Sequence, residues 1–458
     1  MNTIELYKKA MAEQAAWTAR WTACKKYTMP ETDDDAAMLF DSTASDAAEL
    51  LAGSVFSMMT PPESEWLNLT NDDPESLDEQ AAEAALRQHL NNSNFYTVAH
   101  QCYLDLAVLG TACMLFSENP IGSASAFNFQ ALPMKDIALL RDASDSVSAV
   151  FYATSESAQN LMAKYPNWTP PKSLKESAKN NPEAEVRIIQ SVVESGGVWK
   201  MTAWADIEGK FENNILETGE FKTNPFIIFR WSAATGEIYG RSPVMRALPD
   251  IKTANKVVEL ILKNASISVA GIWQADDDGV INLSNISLTP GAIIPKAVGS
   301  SGLTPLRSGA DFDVSQLVLG DLRARIRTAL LADKLSAMTD KVMTATEVMA
   351  RNADMLRVLG GAYGRLLFEM LNPLANRGLY ILSRRGLIAD VKLGANAKLR
   401  CSSPISKLSN SDAAAQVLNW ISQVSEAGMS DKIDSEAAFV WIADALHIPQ
   451  QLIAKTEQ

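Results

Sequence analysis

Cysteine, histidine and basic charge are all scarce in this chain, and each shortage closes off a class of function. The four cysteines (Cys24, Cys102, Cys113, Cys401) are scattered, with no CxxC spacing. That pattern fits buried reduced thiols in a cytosolic protein and argues against a disulfide scaffold or a thiolate metal site. The three histidines (His89, His100, His447) are too dispersed to suggest a ligand cluster, so neither a metal nor a cofactor is expected. Lys and Arg number 41 against 54 Asp and Glu, a formal charge of −13. A protein that grips nucleic acid usually shows the opposite balance, because phosphate neutralisation supplies most of the affinity. The balance still allows a protein that DNA must pass without sticking. No apolar run approaches about eighteen residues. The opening MNTIELYKKAMAEQ also lacks the uninterrupted apolar core of a signal peptide. The sequence therefore reads as soluble, with no membrane partner.

Catalytic signatures are missing as well. No GxSxG nucleophile elbow, HExxH or strand-linked GxGxxG occurs. The nearest approach to a phosphate loop is Gly236-Glu-Ile-Tyr-Gly240-Arg241-Ser242. Its glycines stand one residue too close, and Arg replaces the lysine that reaches terminal phosphates. A nucleotide-dependent enzyme is the weakest of the readings, and no enzymatic activity is expected. Asp276-Asp277-Asp278 could hold a divalent ion, but directly before Gly279 they read more naturally as an exposed β tip.

What is present is a chain of 458 residues, 47% hydrophobic and 21% charged, long enough for two or three domains. Trp17, Trp21 and Cys24 recur at i, i+4, i+7 and predict a helix over 3–28, stopped by Pro30. Ala47, Leu50, Leu51, Val55, Met58 and Met59 predict a second over 44–59, ended by Pro61-Pro62. Two more are plausible over 77–90 and 95–109. From 111 to 232 short β-branched runs (TACMLF, VSAVFYAT, VRIIQSVV, VWKMTAWA, FIIFRW) predict a mostly antiparallel β region, broken by one short helix near 155–164. Helical periodicity returns over 244–268, about 37 Å long at 1.5 Å per residue, then over 319–334 and 344–385. A Gly, Ser and Pro-rich β stretch occupies 269–318, and a weak β segment with two or three small helices fills the tail. The class is α+β, with a β module inserted between long helices, a layout suited to packing side by side with copies of the same chain.

Two basic stripes fall on that layout. Lys252, Lys256 and Lys263 share one helix face, and Arg323 and Arg327 share another with Arg325 turned away. Each stripe reads equally well as a solvated or subunit-pairing face and as a DNA-facing one.

A series of phrases runs through most of the chain. It begins with Asp41-Ser42-Thr43, Leu50-Leu51-Ala52-Gly53, Met59-Thr60-Pro61-Pro62, Trp66 and Leu69. It continues with Arg230-Trp231, Gly236-Glu237-x-Tyr239-Gly240-Arg241-Ser242-Pro243 and Ala247-Leu248-Pro249-Asp250-Ile251-Lys252. Leu288-x-Pro290-Gly291-Ala292 and Met343-Thr344-Ala345-Thr346-Glu347-Val348 follow. Gly360-x-x-x-Gly364-Arg365-Leu366-x-x-Glu369 and Leu371-x-Pro373-Leu374 close the series. In order and spacing this set resembles the head-to-tail connector, or portal, proteins of short-tailed phages, over roughly residues 10–390.

The resemblance implies a ring, typically of twelve subunits, at one capsid vertex of the virion, assembled in the host cytoplasm. It implies passage of double-stranded DNA, nucleation of heads with scaffold and major capsid protein, and docking of the terminase large subunit and a tail adaptor protein. It also implies a wing (1–240, with helices over 1–110 and β structure over 111–232) and stem helices (241–268 and 319–334). Between the stem helices stands a clip (269–318). A tunnel loop (335–343, including Ser336, Met338 and Asp340), a long wing helix (344–386) and a crown (387–458) complete the plan. On that plan Lys334, Lys341 and a stem stripe approach DNA phosphates, and Asp276, Asp277 and Asp278 sit on the clip's docking surface. The acidic balance then suits DNA that slides past a few basic rings. A virion scaffold or tail adaptor that never surrounds DNA is the alternative.

Overall fold

The computed structural model describes residues 3–62, 66–67, 79–143, 146–166, 168–207, 214–270, 273–274, 304–305, 312–335, 360–388, 404–426 and 433–445. The fold is α+β, and among the described residues it opens with five helices. These are α1 (Thr3–Thr28), α2 (Asp33–Ala37), α3 (Thr43–Met59), α4 (Glu79–Asn91) and α5 (Phe95–Leu109). The face predicted for α1 is the buried one: Trp17, Trp21, Cys24 and Thr28 all point inward. Burial pushes the Cys24 thiol up to about 12, more than nearby Lys252 lowers it, so the thiol is inert. Cys102 and Cys113 are likewise free and buried, and Cys401 lies outside the described residues.

Among the described residues eight strands follow, in two antiparallel sheets. One has the order β2 (Phe127–Leu132), β1 (Thr111–Glu118), β8 (Phe226–Arg230). The other runs β3 (Ile137–Arg141), β4 (Val147–Ser157), β5 (Glu185–Ser195), β6 (Val198–Asp206), β7 (Ile215–Phe221). Every residue of β8 is buried because both of its faces are covered, which explains its continuous apolar run. Two short helices, α6 (Ala158–Lys164) and α7 (Lys172–Asn180), sit between β4 and β5, where the sequence predicted one. The second is easy to miss: KSLKESAKN buries essentially one apolar residue, Leu174.

The chain then enters α8 (Pro243–Ala270), a two-residue ladder of β9 (Trp273–Gln274) with β10 (Thr304–Pro305), and α9 (Phe312–Ala329). Helix α9 begins at Phe312, earlier than the predicted 319, so the β insertion is shorter than its Gly-rich composition suggests. A short α10 (Ala332–Leu335) follows, rather than continuous helix to 334. Leu331 stands between them with a φ of 63°, a left-handed conformation that breaks the helical path.

From residue 360 the chain is helical again, but not as one uninterrupted helix. A π turn spans Leu367–Leu371 before α11 (Asn372–Arg384). Pro373 has no N–H for the Glu369 carbonyl, so the ladder is disturbed here, and the Asn372 N–H reaches back to Leu367. Helices α12 (Pro404–Glu426) and α13 (Ser435–Ala445) close the described chain. The predicted β segment over 391–401 lies outside the described residues. Two large apolar clusters organise the whole. One joins α3, α4, α5 and α11 to the three-stranded sheet. The other joins α1, β3, α8 and α9 around Trp17, Trp21 and Tyr239.

Candidate functional site: a helix pair and its anchors

Helices α8 and α9 pack against each other. Arg246, in the first turn of α8, donates to the carbonyl of Ala329 at the end of α9 (2.8 Å), so the two run antiparallel. Among the side chains described, the buried ones of each helix lie toward one end. On α8 the buried residues Val244, Ala247, Ile251 and Ala254 keep helical spacing and then stop. On α9 the corresponding residues are Leu319, Leu322 and Ile326. Past them Leu260 (54% exposed), Leu262 (50%) and Leu317 (75%) face solvent. Pro243 at the first helical position and the Ser242 hydroxyl, which accepts from the Met245 N–H (2.9 Å), set where α8 begins.

The candidate DNA-facing lysines lie on this pair. Lys252, Lys256 and Lys263 are all exposed. Lys256 (2.9 Å) and Lys263 (2.5 Å) share Glu259, whose carboxyl they hold below its usual value. The stripe is thus partly neutralised by its own helix. Arg327 is exposed, and among the described residues no carboxylate pairs with it or with Lys252. Arg323 is committed elsewhere: its Nε donates to the buried carboxylate of Asp41 (2.8 Å). Arg325 pairs with Asp321 on its own helix (2.8 Å). The side chain of Lys334, and Ser336, Met338, Asp340, Lys341, Asp276, Asp277 and Asp278, lie outside the described residues.

Several of the phrases that carried the resemblance turn out to be anchor points of the fold, one of them for this pair. Asp41 accepts the Thr43 N–H (2.9 Å) as well as Arg323. Burial alone would raise the Asp41 carboxyl, but bonds from Thr43 and Arg323 outweigh it and hold the carboxyl below its usual value. From α8, the buried amide of Asn255 accepts the N–H groups of Phe40 (2.7 Å) and Asp41 (3.1 Å) and donates to the Met38 carbonyl (3.0 Å). Both long helices are therefore pinned to one short loop, residues 38–41.

The Gly236–Ser242 segment is a docking strap rather than a phosphate loop. Tyr239 is fully buried, accepts the Leu139 N–H (3.1 Å) and donates to the Ile137 carbonyl (3.3 Å). The Gly240 N–H donates to Thr111 (2.7 Å), and the Ser242 hydroxyl donates to the Val108 carbonyl (2.7 Å). A Cβ at Gly240 would collide with the Gly110 carbonyl, and Gly110 itself has a φ of 80°, so both positions need glycine.

Arg230 and the Gly360–Glu369 phrase meet across 139 residues. Glu369, on the π turn, accepts the Arg230 N–H (2.9 Å), the Arg230 guanidinium (2.6 and 3.1 Å) and Arg365 (3.0 Å). The spare Arg230 nitrogen donates to the Ile238 carbonyl (3.3 Å), which ties the strap to the clamp. Sequence reasoning did not find Arg377, a buried guanidinium that donates to the Phe116 carbonyl (2.7 Å) and to Thr223 (3.0 Å). Desolvation lowers it to about 10, and Arg384 pushes in the same direction. Its helical position carries no signal that a strand carbonyl lies opposite. Among the described residues no group of His, Cys, Asp and Glu is placed to hold a metal ion, and no helix is long and apolar enough to cross a membrane.

Comparisons with known proteins bear on what this arrangement serves. The chain is similar to the probable portal protein of Bordetella phage BPP-1, with 24% identity over 413 residues covering 79% of this chain and 70% of that one. The portal protein of Enterobacteria phage T3 is 23% identical over 401 residues, covering 80% and 72%. The portal protein of Salmonella phage epsilon15 is 22% identical over 452 residues, covering 92% and 80%. Among solved structures, a chain from the neck of an empty GTA particle is 10% identical with a TM-score of 0.41, covering 88% and 90%, a likeness below the level that carries an argument. The model of the family described as bacteriophage head to tail connecting protein matches residues 2–453, and the chain belongs to that family.

Proposed function

We propose that the chain is a portal subunit. On this reading, copies assemble as a ring, most simply a dodecamer, at one capsid vertex of the virion, and double-stranded DNA enters and leaves through its centre. The observation that carries the reading is the family match over residues 2–453, joined to relatives named as portal proteins. The half-exposed helix pair supports it: helices that leave leucines in water at one end suit a subunit whose neighbours cover them.

The protein supplies no enzymatic activity in this reading, so the force for packaging comes from a separate motor. The terminase large subunit and later a tail adaptor dock on the 269–318 insertion, where Asp276, Asp277 and Asp278 stand. Scaffold and major capsid proteins meet the wing. Lys252, Lys256, Lys263 and Arg327, with Lys334 and Lys341, make weak repeated contacts with phosphate, while Arg323 serves first as an anchor. Contacts of this kind, few and partly neutralised, let DNA slide.

Electron microscopy of the purified protein tests the ring: closed rings with a hole of DNA width support it, and monomers or filaments overturn it. Reversing the charge of Lys252, Lys256, Lys263 and Arg327 together should leave rings intact and impair packaging or genome retention. Normal packaging would remove DNA contact from these residues. Trimming 275–286 should preserve rings and abolish motor-driven packaging.

A further inference from the structure

We propose that the acidic segment around α2 of one subunit seats in an arginine-lined pocket on the next, forming a specific contact between neighbouring copies. The inference rests on the ring reading above. A closed ring is built from heterologous contacts, in which two different faces of the same chain must complement one another.

The pocket is a cavity of about 520 Å³ lined by Arg20, Trp231, Ser232, Arg241, Met245 and Arg246, with Ser242 and Pro243 at its edge. Arg241 is already paired with Glu237 (2.6 Å). Arg246 spends one N–H on the Ala329 carbonyl, and Arg20 lies 5.2 Å from the ring centre of Trp17. Neither of these two has an ion-pair partner among the described residues, and the one carboxylate that acts on Arg20, Glu237, is already shared with Arg241, so the pocket holds a net excess of positive charge. Its apolar wall is Trp231 and Met245, both partly exposed.

The complementary surface is α2. This helix has no buried residue at all, which isolated helical propensity does not sustain in five residues. It is held from one side only, by Lys25–Glu31 (2.5 Å), Lys26–Asp35 (3.0 Å), the Thr32 cap and the Asn255 clamp behind it. Asp33 and Asp34 are exposed, with no ion pair among the described residues, and beside them Met38 (54% exposed) and Phe40 (36%) present apolar surface. Two unpaired carboxylates and two apolar side chains thus match two guanidiniums that lack an ion-pair partner and an apolar wall.

Geometry keeps the two faces from meeting within one chain. Thr18, Thr22 and Lys25 flank the α2 side of α1, where they line a small cleft with Glu31 and Asp35. Arg20 is rotated from them by roughly 140–160° at 100° per residue. The basic pocket and the acidic segment therefore lie on opposite flanks of the same helix, as a head-to-tail contact between copies requires.

The test uses two full-length variants. Asp33→Arg with Asp34→Arg makes both faces basic; Arg20→Glu with Arg246→Glu makes both acidic. Each alone should lose rings by about ten-fold or more in mass photometry, because like charges then meet at every contact. Mixed in equal amounts, the two should recover closed rings of alternating subunits, since every junction is again complementary. An Arg20→Gln, Arg246→Gln variant, which adds no charge, should show a smaller loss of rings. Thermal melts must show folded subunits in each case. Wild-type ring yield from either charge-reversed variant, or from the Gln variant should the Glu variant misfold, overturns the contact. Failure of the mixture to restore rings from folded subunits overturns it too, while leaving the ring reading intact if wild-type rings persist. If the wild-type protein forms no rings, the ring reading fails and takes the contact with it.

Discussion

The packed helix-and-sheet body and the solvent-exposed half of the α8–α9 pair are built on opposite terms. In the body, Tyr103, Phe95, Phe116, Phe127 and Phe229 are fully buried, and the buried polar side chains of Gln14, Tyr239 and Arg377 have hydrogen-bond partners. In the outer half of the pair, Leu260, Leu262 and Leu317 stand in water, and the charged contacts are exposed pairs on one helix. Buried polar groups are costly to orphan, whereas exposed ion pairs contribute little. The body therefore carries most of the stability, and the outer pair contributes little of its own.

The comparison breaks most readily at Glu369. Glu369→Ala leaves the buried Arg230 guanidinium without its carboxylate, beside the partly exposed Arg365, and an expected loss of about 3 kcal/mol should appear as a lower denaturant midpoint. Conversely, Glu259→Ala on the outer pair should change stability by less than about 1 kcal/mol. A loss comparable to that at Glu369 would show that the outer pair is as self-supporting as the body.

Asn255 sits where the two regions join. Asn255→Ala orphans the Phe40 and Asp41 N–H groups, and a loss of about 1–3 kcal/mol is expected by the same measurement. If the loop is the joint argued here, hydrogen exchange should accelerate in both α3 and α8.

A smaller effect of opposite sign is expected at Asp105 on α5. Burial, with Glu31 adding to it and Lys25 opposing it, raises its carboxyl to about 6. A folded value above the unfolded one penalises the native state once the group ionises. The penalty is absent below about pH 4 and complete above about pH 6. Asp105→Asn should therefore stabilise the protein at pH 7 by about 1–2 kcal/mol, after allowance for its partial solvent contact, with no gain at pH 4. An equal gain at both values would mean that the carboxyl is not the cause.

Much of this was legible from residues because it follows from local periodicity. The Trp17–Trp21–Cys24 face, the helix ending at Pro61-Pro62 and the alternation of the β region are set by which neighbours on one short element share a face. Element ends were less legible. Helix α7 buries almost nothing, and the π turn depends on how Pro373 meets the carbonyl of Glu369.

The chain alone thus determined its class, its succession of elements, and its family resemblance through an ordered series of phrases. Only tertiary structure decided what those phrases do. Asp41 meets Arg323 across 282 residues, Arg230 meets Glu369 across 139, and a near-miss phosphate loop becomes a strap around Tyr239. Tertiary structure also separated Arg323, bound to a buried carboxylate, from Arg327, which remains exposed on the same helix face. Periodicity assigns a side chain to a face, but which partner waits opposite is fixed by packing between segments far apart in the chain, and no local pattern encodes that.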